Sequence, residues 1–230
     1  MTDIAVIDYG MGNLRSVSKA IEHVAPHFKV AVTSDPAVVA RAARVVFPGQ
    51  GAMPDCMREM DARGLREAVV AATSDKPFLG ICIGLQMLFA RSEEGDVAGL
   101  GLLPGTVRRF PAAAMVDARG QKLKVPHMGW NEVHQSLPHP LWEGIASGGR
   151  FYFVHSYYVE PANPRLVAGY SVYPFSFTCA VASDNIFAVQ FHPEKSHAAG
   201  LRLLANFVAW QPTAKAAGGN SLSLTGAMKC

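Results

Sequence analysis

The sequence predicts an α/β fold: a mostly parallel central sheet with helices on both faces and an antiparallel β extension. Three observations carry that expectation. Short continuous apolar runs recur through the first half, at Ile4–Ile7, Val30–Val32, Val45–Phe47 and Phe78–Ile81, as in strands covered on both faces. Segments of helical length lie between them, and strands alternating with helices favour parallel pairing through right-handed crossovers. From Leu103 to about Ala182 the pattern changes to short β-like runs divided by Pro and Gly turns, which places antiparallel structure beside the parallel sheet.

Taken in order, Ile4-Ala5-Val6-Ile7 is the first strand and Asp8-Tyr9-Gly10-Met11-Gly12-Asn13 the loop after it. A helix is expected from about Leu14 to Val24, then strands at Val30-Ala31-Val32 and Val45-Val46-Phe47. The third strand runs into Pro48-Gly49-Gln50-Gly51, and one helix from about Pro54 to Ala72 leads to the fourth. Later β runs are Thr106–Phe110, Phe151–Val154 and Leu166–Tyr170, and Ala199–Trp210 reads as a closing amphipathic helix. Residues 1–210 form one domain on this reading. Residues 211–230, poor in large apolar side chains, are expected to be a disordered tail.

Half of the 230 residues are hydrophobic, enough for a large core. The formal charge is +3 and Arg108-Arg109 is the sole adjacent basic pair, so nothing suggests nucleic acid as a partner. No apolar run approaches the roughly 18 residues of a membrane span, and no cationic leader precedes the first strand. Cys56, Cys82, Cys179 and Cys230 show no CxxC spacing, so neither a zinc site nor a disulfide framework is indicated. The expectation is a soluble cytoplasmic protein with no membrane association and no metal or cofactor.

Chemistry concentrates at Pro77-Phe78-Leu79-Gly80-Ile81-Cys82-Ile83-Gly84-Leu85-Gln86. Gly80 and Gly84 flank Cys82 at the second position on either side, the Gly-x-Nuc-x-Gly pattern of a nucleophile elbow. A strained strand-to-helix turn needs neighbours without side chains, both for the backbone and for substrate access to the sulfur. A helix opening after Cys82 directs free N–H groups and its positive end at the sulfur, favouring thiolate. The Ile83 N–H then points toward an oxyanion formed under attack. Alone, the pattern fits a buried core cysteine about equally well.

The second motif decides between those readings. Ala188-Val189-Gln190-Phe191-His192-Pro193-Glu194-Lys195 is an apolar strand ending in a histidine, with a carboxylate two positions later. On an extended chain, i and i+2 face the same side. Glu194 is thereby placed to hold one imidazole nitrogen of His192 while the other takes the proton of Cys82: nucleophile, base and orienter. In parallel α/β sheets the site lies at the carboxyl ends of the strands, where the loops Gly10–Gly12, Gly49–Gly51 and Gly80–Gly84 also fall.

Gly-Ile-Cys-Ile-Gly-Leu-Gln at 80–86 and Phe-His-Pro-Glu-Lys at 191–195 resemble the two signatures of the class I glutamine amidotransferases, in the expected order. The stretches 8–13, Pro126-His127-Met128-Gly129-Trp130-Asn131 and His155-Ser156-Tyr157-Tyr158 resemble one branch of that family, a glutaminase subunit of histidine biosynthesis. The resemblance covers about residues 3–210. It implies that the chain hydrolyses L-glutamine and passes ammonia to a (β/α)₈-barrel cyclase subunit in a heterodimer. Carried over by position, Cys82 matches the nucleophile, His192 the general base and acid, and Glu194 the orienting carboxylate. Backbone of Gly49, Gln50, Gly51 and Ile83 matches the oxyanion hole. Gln86, Glu94, Ser156 and Tyr157 match the glutamine pocket, and Asn13, Trp130, Tyr152 and Lys195 match positions facing the cyclase. Core packing is the alternative for Trp130, and a plain solvated charge the alternative for Glu94 and Lys195. Gln50 departs from the pattern, which often carries an apolar residue there. The backbone chemistry survives that change, and only side-chain packing against the partner is affected.

Other readings remain open from the residues alone: a glutaminase of another amidotransferase, a cysteine hydrolase of related fold, or a scaffold without activity. The related hydrolases would lack His-x-Glu at a late strand end. An intact Cys82, His192 and Glu194 argues against a scaffold.

Overall fold

The computed structural model describes residues 2–117 and 119–212, so the expected tail lies outside the described residues except for Gln211 and Pro212. The first half of the chain is β1 (Ile4–Ile7), α1 (Leu14–Val24), β2 (Val30–Thr33), α2 (Pro36–Arg41), β3 (Arg44–Gly49), α3 (Met53–Ala62), α4 (Arg66–Asp75), β4 (Phe78–Cys82) and α5 (Ile83–Gln86). The second half is β5 (Phe89–Ser92), β6 (Val97–Ala98), β7 (Leu103–Arg109), β8 (His127–Gln135), β9 (Gly149–His155), β10 (Tyr157–Pro161), β11 (Val167–Val172), β12 (Ser176–Ser183), β13 (Ile186–Val189) and α6 (His197–Ala209), with four short 3₁₀ turns among them.

β2, β1, β3, β4 and β13 lie side by side, all parallel. β12 joins β13 antiparallel, and the sheet continues through β10, β7, β5 and β6. β11 branches from β12 and carries β8 and then β9. The predicted architecture is thus the observed one. β1, β3, β4 and β13 are buried along their whole lengths, which is why their sequences, apart from Arg44 at the start of β3, are apolar without alternation. α1 buries Val17, Ser18 and Ile21 at three- and four-residue spacing, and its N-terminus is capped by the Asn13 side chain, which accepts from Ser16 N–H at 3.4 Å.

Four details differ from the sequence expectation. The single helix over 54–72 is two helices. Gly64, at φ +65°, takes the left-handed conformation that ends α3; its N–H bonds Asp61 O at 2.9 Å and the next N–H, of Leu65, bonds Met60 O at 3.1 Å. α2 was not anticipated: it starts at Asp35-Pro36, with the Asp35 carboxylate accepting from Ala37 N–H at 2.8 Å, and buries only Val39. Six residues are too few for a helical period to show. Strands resume earlier than expected, at Phe89, and α6 begins at His197 rather than Ala199. None of the described helices is long and apolar enough to cross a membrane.

Candidate active site

β4 ends at Cys82, whose backbone takes φ +57° and ψ −111°. That is a strained conformation for a residue with a Cβ, tolerated only where the surroundings enforce it. The enforcing contacts are visible at the two glycines. A Cβ on Gly84 would lie 1.8 Å from the Phe47 carbonyl of β3, and one on Gly80 would lie 2.9 Å from the Ala188 Cβ of β13. The glycines therefore let the turn pack between its neighbouring strands, the close backbone approach expected from the sequence. The helix expected after Cys82 is α5, a single turn of four residues, so its dipole contribution is correspondingly small.

His192 follows the end of β13, and Glu194 lies in a one-turn 3₁₀ helix, Pro193–Lys195, rather than on an extended strand. The i, i+2 geometry inferred for a strand is therefore not the one used, yet the two side chains meet: His192 Nδ1 is 2.8 Å from Glu194 Oε1. The histidine main chain is clamped on both sides. Its N–H donates to Tyr152 O at 2.9 Å, and its carbonyl accepts from Ser196 Oγ at 2.6 Å. Ser196 Oγ in turn accepts from Tyr152 N–H at 3.0 Å. The other ring nitrogen, Nε2, is buried without an aligned hydrogen-bond partner among the described residues. Burial pulls the imidazole down, but the Cys82 sulfur and the Glu194 carboxylate outweigh it and push His192 up to about 10. The sulfur and the carboxylate on its two sides thus favour the protonated form of the ring.

A cavity of about 240 Å³ opens on this pair. Cys82, His192, Gln50, Gly51, Ile83, Gln86, Glu94, Ser156, Tyr157 and Lys195 all line it. Residues from both sequence motifs and from both halves of the sheet are thereby brought to one place, at the carboxyl ends of β3, β4 and β13. Glu94 has a second use: its Oε2 accepts from Met53 N–H at 2.8 Å, at the first residue of α3. In the Pro48–Gly51 loop two carbonyls are held from behind. Pro48 O accepts from Tyr9 Oη at 2.9 Å and Gln50 O from Cys56 Sγ at 3.5 Å. Across the planar peptide that follows Gln50, the Gly51 N–H points away from Cys56.

Sequence reasoning missed the polar groups that surround these residues. Gln190 is fully buried and contacts both Cys82 and Gln86. In the cavity wall, His155 Nδ1–H donates to Tyr157 O at 2.8 Å, and His127 Nδ1 lies 2.9 Å from His155 Nε2. A histidine donating through Nδ1 in its neutral form accepts through Nε2, so His127 donates and is itself the Nδ1–H tautomer. Asn131 Nδ2, 3.3 Å from His127 Nε2, completes the chain. Burial lowers His127 to about 4 and His155 to about 3, so both stay neutral at neutral pH.

Of the four partner-facing expectations, three gather in one surface cluster. Trp130 is 38% exposed, which rules out core packing; it stacks on His197 at 5.0 Å and 4° and meets Tyr152 edge-on at 6.1 Å. Lys195 Nζ lies 5.9 Å from the centre of the Tyr152 ring. Asn13 is used differently, as the cap of α1.

Residues 5–210 match the family model described as "Glutamine amidotransferase class-I". The fold agrees: the chain superposes on a putative GMP synthase protein from Thermoplasma acidophilum with a TM-score of 0.67 at 18% identity, covering 91% of this chain and 93% of that one. The chain belongs to the class I glutamine amidotransferase family. Among curated relatives, the imidazole glycerol phosphate synthase subunits HisH of Nitrosospira multiformis and Thiobacillus denitrificans are each 73% identical, over 92% and 91% of this chain and 100% and 92% of theirs. The HisH subunit of Chromobacterium violaceum is 58% identical over 90% of this chain and 97% of its own length. Within the class, the chain sits in the HisH family.

Proposed function

We propose that this chain is the glutaminase subunit of an imidazole glycerol phosphate synthase, acting in the cytoplasm, and that Cys82, His192 and Glu194 are its catalytic triad. The observation that supports this most is the convergence of a strained Cys82, a carboxylate-held His192 and the amide of Gln86 on one cavity. The Cys82 thiolate attacks the side-chain amide carbon of glutamine. Negative charge on the oxygen is met by the N–H of Ile83 and by the Gly49–Gly51 peptides. His192, protonated, gives its Nε2 proton to the nitrogen as the C–N bond breaks, and ammonia leaves. Water, deprotonated by the same nitrogen, then cleaves the γ-glutamyl thioester to glutamate, and the sulfur leaves as thiolate beside the reprotonated His192. Glu194 keeps Nδ1–H occupied, so that Nε2 is always the nitrogen facing the sulfur. Gln86 and Glu94 read the amino-acid head group, with the Ser156–Tyr157 backbone as the opposite wall.

Ammonia protonated in bulk water is no longer a nucleophile, which explains why the site works beside a synthase. The partner is a (β/α)₈-barrel cyclase that docks on the Trp130–Tyr152–Lys195 surface, with Asn13 at its margin. Gly49 lets the Gly49–Gln50 peptide, whose carbonyl is not among the two held from behind, turn over at small steric cost. The free chain therefore hydrolyses glutamine very slowly, and the cyclase with its nucleotide ligand raises the rate by at least about 10²–10³, the worth of one oxyanion donor. Glutamate release by the free chain, by the complex and by the complex with ligand tests this. Full activity in the free chain contradicts the regulatory part, and no activity in any of the three contradicts the whole.

A further inference from the structure

We propose that Gln190 is a positioning residue of this reaction, tying the Cys82 sulfur and the Gln86 amide into one rigid unit. The inference rests on the reading of Cys82 as nucleophile. Gln190 lies between the end of β13 and His192, with no exposed surface. Its main-chain N–H donates to Cys179 O at 2.8 Å, so the side chain starts from a fixed point. Its Nε2 donates to Cys82 Sγ at 3.7 Å, and its Oε1 accepts from Gln86 Nε2 at 2.9 Å.

The orientation of both amides follows from the groups they touch. Gln86 Nε2 also donates to Tyr157 O at 3.3 Å. Both of its hydrogens are thereby spent on oxygens, and its own Oε1 is buried, without a partner among the described residues, on a side chain that lines the cavity. If the Gln190 amide turned over, its NH₂ would face the NH₂ of Gln86, donor against donor. Only one orientation satisfies the pair, and in that orientation the sulfur always receives an N–H. The Tyr157 carbonyl that fixes Gln86 is itself held by His155 Nδ1–H, so the unit is braced from the far wall.

A primary amide does not titrate near neutral pH, so Gln190 transfers no proton. It limits where the sulfur sits on an elbow whose backbone is strained, and it presents the free Gln86 oxygen to the substrate. Its two ends predict separable effects. Gln190→Glu, assayed at alkaline pH where the new carboxyl is ionised, keeps an acceptor for Gln86 but offers the sulfur no hydrogen, so kcat falls while KM changes little. Gln190→Leu loses both ends, so kcat falls and KM rises.

The test measures glutamine hydrolysis by each variant bound to its synthase partner, together with the rate at which neutral iodoacetamide alkylates Cys82, which needs no substrate pocket. Far-UV circular dichroism of each variant and its co-elution with the partner in size-exclusion chromatography report that the chain is folded and docked. The expected loss is about 10- to 100-fold in kcat, the worth of a hydrogen bond to a charged group, with slower alkylation in both variants. If Gln190→Leu fails to fold, Gln190→Glu alone decides. Wild-type kcat and alkylation in folded Gln190→Glu overturn the proposal, as does a loss that appears only as rising KM. Cys82→Ala run alongside separates the two levels: hydrolysis surviving there overturns the reading of the site, whereas a dead Cys82→Ala beside an unimpaired Gln190→Glu overturns the positioning role alone.

Discussion

Cys82 leaves a parallel strand into a left-handed backbone, whereas the opposite wall of the same cavity leaves β9 at His155 and turns through Ser156 into β10 with its polar groups paired. Three of the five buried side-chain atoms that lack a partner among the described residues, Gln86 Oε1, His192 Nε2 and Glu194 Oε2, belong to the parallel side of the site. On the antiparallel side, Tyr157 O accepts two hydrogen bonds and both rings of the His127–His155 pair are engaged. Unsatisfied polarity is costly when buried, and strain must be held in place by its neighbours. Here both collect where bonds are to be broken, and the antiparallel half supplies the neutral frame.

That contrast can be broken most severely from the parallel side. His192→Ala removes the group proposed to handle the proton in both half-reactions and should lower kcat for glutamine hydrolysis by about 10²–10⁴. Glu194→Gln keeps a hydrogen-bonding group in place and should cost roughly 10²-fold less than His192→Ala. Equal losses in steady-state kinetics would mean that the two act as one unit.

The next effect is on stability. Gly84→Ala puts a methyl group where the Phe47 carbonyl already lies, at 1.8 Å, so β3 or the elbow must move. We expect a loss of about 3 kcal/mol in denaturant unfolding. A change below about 1 kcal/mol would show that the elbow is looser than the packing indicates.

The antiparallel side should respond to pH instead. His127 has a folded value of about 4 against an ordinary 6.5. Between those limits the unfolded chain binds the proton and the folded one does not, so its contribution is complete above 6.5 and is lost as pH falls toward 4. The slope is about 1.4 kcal/mol per pH unit for each such group, and the lowered His155 and His139 act in the same sense. His192, raised by Cys82 and Glu194, has the opposite sign, its contribution present below 6.5 and lost as pH rises toward about 10. His127→Asn should therefore flatten the acid limb of the stability curve by about one group's share. An unchanged slope between pH 6 and 4.5 would remove the buried neutral histidine from the account.

The smallest expected effect is at Trp130. With 38% of its surface exposed, Trp130→Ala should change unfolding free energy by about 0.5 kcal/mol or less while uncoupling glutamine use from product in the complex. A large drop in Tm with coupling intact would return it to the core.

How much of this was readable in the sequence varied with distance along the chain. The elbow and His-x-Glu were legible because each packs its chemistry into a few consecutive residues, although the Glu194 geometry came from a 3₁₀ turn and not from the strand assumed. Gln190 was not legible, since one polar residue in Val189-Gln190-Phe191 reads as the outer face of a strand. The His127–His155 pair is separated by 28 positions and is made only when β8 and β9 align in register. The break after α3 did carry a signal, the Gly64 that a helix C-terminus favours, and α2 carried one in Asp35-Pro36. Both were outweighed by the apolar runs around them. That Glu94 caps α3 as well as lining the cavity has no local signal at all.

The most direct measurement of the central claim is product formation by the Cys82→Ala chain in complex with the cyclase, supplied in parallel with glutamine and with ammonia at high pH. The account predicts no product above background from glutamine and near wild-type synthesis from ammonia. Glutamine-dependent synthesis comparable to wild type in this variant would contradict it.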